Sequence, residues 1–189
     1  MNIPTVWKSL CMVGLSSVSF MTQLYAAEWT LTPQTQVSFD IHSMGFLIVK
    51  GRFEQIQSSM HFDTAAPQQA SAQFVLDINH LNLSKPSLQN LILGEDFFYL
   101  EKYPTATFRS QEFVPLGKGH YAIKGDLTLR GVTQPVVLDT ILKPNSTDPQ
   151  LLDVESKTVV NRSDFGMKKA FAGIGEKVNI EVSGQWQLK

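Results

Sequence analysis

Residues Gly125 to Leu138, GDLTLRGVTQPVVL, commit this part of the chain to β structure. Leu127 and Leu129 alternate with Thr128 and Arg130, the period-two spacing of a strand with one buried face. Gly131 ends that run, since only glycine enters positive φ without steric cost. Gln134-Pro135 restarts an extended segment, because the residue before a proline is driven out of the helical region. Val136, Val137 and Leu138 then continue it with β-formers. The expected local structure is strand, tight turn, strand.

The same rhythm recurs along the chain. Val37, Phe39 and Ile41 alternate with Ser38, Asp40 and His42 within Trp29–His42, and Phe46–Phe53 follows as a second strand after Gly45. Gly51, inside that strand, is of the kind that marks a bulge or a sharp bend of a barrel wall. Met60 and Phe62 share a face in Ser58–Asp63, Thr64–Gln69 reads as a loop, and Ala72, Phe74, Leu76 and Ile78 make a long alternating strand. The rhythm breaks between Leu81 and Leu100, where Leu88, Leu91 and Ile92 fall at helical spacing. A short helical segment is expected near residues 86–99, capped by Ser84 or Ser87 and ended by Gly94 or Tyr99. Strands resume in TATFRSQEFVPL, after the Gly117–Gly119 turn, and over Leu151–Asn161 and Lys177–Leu188. About eight to ten strands with turns every ~8–12 residues describe an all-β sandwich or barrel. A small barrel of ~8 strands has room inside for its own side chains or for one small ligand.

The first residues are of another kind. Lys8 precedes SLCMVGLSSVSFM, an apolar run followed by the small residues Ala26-Ala27, which reads as a secretory signal peptide cut after Ala26 or Ala27. The expected organisation is a leader over 1–27 and one domain over 28–189. Cys11, the sole cysteine, falls in the leader, so the domain carries neither disulfide nor thiol chemistry. Without Lys8 the chain has 15 basic and 17 acidic residues, which provides no electrostatic footprint for nucleic acid.

Several short strings occur in an order that resembles one known family. They are Trp29 with Val37-Ser38-Phe39; Val49-Lys50-Gly51-Arg52-Phe53; and Asp96-Phe97-Phe98 followed by Lys102-Tyr103-Pro104 and Ala106-Thr107-Phe108, closed by Ser110. The GDLTLRGVTQPV hairpin comes next, then Asn161-Arg162-Ser163-Asp164-Phe165-Gly166-Met167. In this order they resemble the motifs of the YceI-like family over most of the domain. The resemblance implies a lipocalin-like antiparallel β-barrel of about eight strands, located in the bacterial periplasm, that binds a polyisoprenoid lipid. Two departures stand out. His42 lies one place early relative to the family's "K-H-[LM]" step, and Pro86–Glu95 has no basic residue where many members carry a basic run. The second implies a different or uncharged lipid head group.

The apolar stripe and the motifs supply the candidate ligand-binding residues: Phe39, Ile41, Phe53, Phe62, Phe74, Leu76, Phe97, Phe98, Phe108, Leu127, Leu129, Phe165 and Met167, with Arg162 and Asp164 at the rim. Ile123 and Ile180 share the stripe. Alternation tells inward from outward and does not separate cavity lining from core filling. His42, His61, His80 and His120 show no metal-ligand spacing, and there is no G-x-S-x-G, so neither metal nor catalytic residue is expected. The expected ligand is an isoprenoid lipid of quinone or prenyl phosphate type, held without a covalent cofactor; transient membrane contact and a homodimer are both compatible with the chain. Three alternatives stay open: an enzyme acting on a lipid-like substrate, a binder of a smaller amphiphile in a stress response, and an outer-membrane barrel.

Overall fold

The structure, a computed structural model, describes residues 27–168 and 174–189; the expected leader lies outside them except for its last residue. Among the described residues, eleven strand segments form one antiparallel sheet that closes on itself. They are β1 (Ala27–Leu31), β2 (Gln36–Ser43), β3 (Phe46–Phe53), β4 (Ile56–Phe62), β5 (Ser71–Asp77), β6 (Leu81–Leu83), β7 (Thr105–Gly117), β8 (His120–Leu129), β9 (Val132–Pro144), β10 (Leu151–Asn161) and β11 (Lys177–Leu188). The segments make eight barrel strands, because β1 with β2, β3 with β4 and β5 with β6 are bent halves of longer strands. At the first bend Thr35 stands in for the missing ladder partner. Its Oγ1 donates to Gln185 O at 2.9 Å and accepts the Gln185 N–H at 3.0 Å.

The β8–β9 hairpin follows its sequence closely. Pairing runs from His120↔Ile141 to Leu129↔Val132 and leaves Arg130 and Gly131 as a two-residue turn. Both have positive φ, 54° and 72°, the mirror-image turn whose twist suits a hairpin. Gly131 is needed twice over, since a Cβ there would also lie 2.6 Å from the Tyr103 ring. Gly51 departs from its expected role. β3 does carry a bulge, but at Ile48, the extra residue opposite Ile41 and His42 of β2, and Gly51 instead leaves room for the Phe39 ring to lie against the wall.

The helical segment is shorter than its spacing implies. A 3-10 turn over Pro86–Leu88 leads into α1 (Gln89–Leu93), which Gly94 ends. No side chain caps it. Ser84 is used elsewhere, its Oγ accepting the Lys50 N–H at 3.0 Å. Leu88 and Leu91 still pack on the barrel and Ile92 is buried, so the helical spacing marks the right face.

Inward positions are almost uniformly apolar, while the outer wall carries Arg109, Lys124, Glu155 and Lys157, all exposed. A barrel spanning a membrane needs the opposite, an apolar band facing the lipid. The physics of these two faces removes the outer-membrane alternative.

Candidate ligand-binding cavity

One end of the barrel holds an apolar cavity of about 70 Å3. Its wall comes from Phe39 and Ile41 on β2, Phe53 on β3, Leu76 on β5, Leu127 and Leu129 on β8, Val160 on β10, and Val178 and Ile180 on β11. Its roof is made of two loops. One carries Ile92, Phe97 and Phe98; the other, the 3-10 turn Arg162–Phe165 and its continuation, carries Arg162, Phe165 and Met167.

The hairpin turn ties these loops down. Arg130 donates from Nη2 to Glu95 O at 2.8 Å and from Nη1 to Gly166 O. One guanidinium thus pins the chain just before Phe97-Phe98 and just after Phe165. The string LRGVT is therefore more than a turn signal: arginine is placed where a fork of donors reaches two backbones at once. Phe98 fills the space beneath. Its ring lies 5.8 Å from Phe39 and 6.4 Å from Phe53, the latter edge-on, a favourable aromatic geometry.

Among the described residues Arg162 is the one charged side chain in this lining, and it is 5% exposed. A buried guanidinium is tolerable only when its donors are matched. Nε donates to Gly175 O at 3.1 Å, Nη1 to Met167 O, and Nη2 lies 3.7 Å from Glu176 Oε2. The guanidinium also sits 5.8 Å from the Phe97 ring centre, within reach of its π face. Burial pushes the Glu176 carboxyl up, but its hydrogen bonds from Ser163 and the Arg162 charge outweigh that and hold it below 4.5.

Eleven of the expected residues thus meet at one site: Phe39, Ile41, Phe53, Leu76, Phe97, Phe98, Leu127, Leu129, Arg162, Phe165 and Met167. Four do not. Phe74 and Phe108 point inward but pack in the other half of the barrel, 6.0 Å from each other, with Phe74 5.5 Å from Trp186. Phe62 lies there too, edge-on to Tyr121 at 5.6 Å and near Phe113. Asp164 faces outward and accepts from Asn161 Nδ2 at 3.1 Å. Ile92, Val160 and Val178 are lining residues that the stripe left out. Val160 and Val178 are in phase with their strands, so alternation offered them; Ile92 arrives through α1. The histidines stay outside the cavity: His42, His80 and His120 each lie beside a single carboxylate, of Asp40, Asp77 and Asp139.

The YceI-like domain family matches residues 29–186. The chain belongs to the YceI-like family. A UPF0312 protein of Vibrio cholerae is 29% identical over 184 residues, covering 94% of this chain and 97% of that one. One of Ectopseudomonas mendocina is 29% identical over 181 residues, covering 93% and 95%. Among solved structures, Burkholderia cenocepacia BcnA superposes with a TM-score of 0.75 at 23% identity, over 82% of this chain and 98% of that chain. A polyisoprenoid binding domain from Saccharophagus degradans gives 0.64 at 17% identity, over 87% and 99%. These structures share the fold. In this YceI-like protein the four motif segments are what assemble the roofed end: Asp96-Phe97-Phe98, Tyr103, Arg130-Gly131 and Arg162–Met167.

Proposed function

We propose that this protein is a periplasmic carrier that takes up the apolar chain of an isoprenoid lipid in the roofed end of its barrel, by burial and without making or breaking bonds. The single observation behind this reading is the apolar cavity in which Arg162, the one charged wall residue among those described, is already matched by backbone carbonyls and Glu176. Such a site rewards hydrocarbon at about 0.8 kcal/mol per buried CH2. Among the described residues the cavity wall presents no acid–base pair, which an enzyme acting on the same lipid would need. The family, and the polyisoprenoid-binding neighbour of the same fold, favour the same ligand class. The apolar leader of residues 1–27 supports export.

Volume sets a condition on this reading. The cavity of about 70 Å3 is far below the roughly 300–1,000 Å3 of ordinary ligand sites. A prenyl chain therefore needs the roof to give way, and Phe98 is the side chain in its path. A transient membrane contact fits as well: the β2–β3 turn exposes Met44 by 96% and Phe46 by 74%, apolar side chains suited to a bilayer interface. The deciding experiment is organic extraction and mass spectrometry of the protein purified from its native host. A stoichiometric prenyl lipid is the expected result and names the head group; a protein that is empty and refuses added prenyl alcohols overturns the reading.

A further inference from the structure

β9 and β10 part company before they reach the cavity. Their ladder runs from Leu152↔Pro144 to Lys157↔Asp139 and stops. β10 stays paired to β11 as far as Asn161↔Lys177, and β9 stays paired to β8 as far as Leu129↔Val132. The wall is therefore split between Val132–Leu138 and Thr158–Asn161, at the end where the cavity lies. Consistently, β8 and β10 both line the cavity while β9, between them, does not. An open edge in a barrel is a liability that closure normally removes.

A groove of about 360 Å3 occupies the split. Val160 and Phe165 line both this groove and the interior cavity, so the same two side chains form the partition between outside and inside. Carried two steps past the last pair, the register sets Val137 opposite Val159. Both point outward, 52% and 57% exposed, and give the groove apolar lips. An exposed hydrogen bond crosses its outer end, from Gln134 Nε2 to Asp164 O at 2.9 Å. Gln134, Thr158, Asn161 and Asp164 also line the groove, and between the valine lips and the Val160–Phe165 partition the occupant that fits is a hydrocarbon chain that continues into the cavity. A peptide strand fits less well, because Pro135 lacks the N–H that an added strand would use.

We propose that the open β9–β10 seam is a lateral port, a second part of the binding site, through which the apolar chain of a prenyl lipid enters the barrel and along which part of that chain lies. It rests on the lipid-binding reading above and adds the route. Cys11 is the sole cysteine, so a Cys11→Ser background permits clean thiol chemistry. Val137→Cys with Val159→Cys, oxidised, stitches the seam shut; uptake of geranylgeraniol is then followed over time on the oxidised and the reduced protein. At least a tenfold slower uptake when oxidised, restored by reduction, is the expected result. A second comparison does not depend on the disulfide forming: a bulky maleimide on Val159→Cys slows uptake, and the same label on Lys124→Cys, on the outward face of β8, does not. Equal rates in the oxidised and reduced protein, or with the two labels, overturn the port and leave the lipid-binding reading standing. Failure of every form, including the parent chain, to take up geranylgeraniol overturns both.

Discussion

Phe98→Ala separates two roles that a buried ring over a small cavity can play, plug or wall. The ring is 8% exposed and packs on Phe39 and Phe53. Truncating a buried phenylalanine typically costs about 3–5 kcal/mol in folding stability, a transfer part plus a cavity part. That loss is expected in the unliganded protein under either role. Binding tells them apart. If a prenyl chain must expel the ring, the wild type gives up roughly 1.5–3 kcal/mol of Phe98 burial on binding. The variant has nothing to expel, so its affinity rises by about 10- to 100-fold, at about 1.4 kcal/mol per factor of ten. The assay is urea unfolding of both proteins with and without geranylgeraniol, together with direct titration. Ligand at 100 times Kd adds about 2.7 kcal/mol to stability, so the variant should regain most of its loss at ligand concentrations that barely shift the wild type. Weaker binding by the variant refutes the reasoning, since it makes Phe98 part of the wall and requires the chain to find room elsewhere.

Further outcomes follow from the same geometry. Arg130→Ala frees both roof loops; hydrogen exchange at the Phe97 and Phe98 amides should quicken, and stability should fall by about 1–3 kcal/mol for the lost charge-assisted bonds. Arg162→Ala leaves Met167 O and Gly175 O without their donors and should cost about 2–4 kcal/mol by urea unfolding, with Arg162→Lys restoring little because an ammonium lacks the fork. Glu176 has a folded pKa below 4.5, so its contribution is present above that value and is lost as pH falls through the folded pKa. Glu176→Gln should therefore flatten the acid limb of a stability–pH curve while lowering stability slightly at neutral pH. Gly125→Ala would put a Cβ 2.5 Å from Arg109 O and 2.6 Å from the Phe108 ring; as the first is backbone the wall must shift, and a loss of about 1–3 kcal/mol in thermal or urea unfolding is expected.

Much of this was legible in the sequence. Period-two alternation gave the strands because a residue's face depends only on its parity, which tertiary context rarely reverses. Parity says nothing about position along the barrel axis, and that is why Phe74, Phe108 and Phe62 read like Phe39 and Phe53 although they fill the other half. Asp164 read as rim because its neighbours Arg162 and Phe165 are, but a 3-10 turn sends successive side chains in different directions and this one faces out. Gly51 looked like a bulge because a missing side chain is ambiguous: it can permit odd backbone or close approach, and here a phenyl ring on the next strand decides for the second. The two-residue turn was readable from Gly131 alone. Its purpose was not, because the partners of Arg130 lie 35 and 36 residues away on opposite sides in the chain.

The split between β9 and β10 left no mark on the alternation, since Val136, Val137, Val159 and Val160 keep perfect strand parity where pairing has ended. A strand without a neighbour is normally selected against as an aggregation site, and here two such edges face each other across a slot of mixed lining with valine lips. The β9–β10 ladder holds beside the half of the barrel that Phe74, Phe108 and Trp186 fill, and ends beside the larger cavity. A fold that merely tolerated imperfect closure would have no reason to place the defect at the cavity. Coincidence of the open seam, the shared wall of Val160 and Phe165, and a roof tied by one arginine is what a barrel needs if its ligand is longer than its cavity.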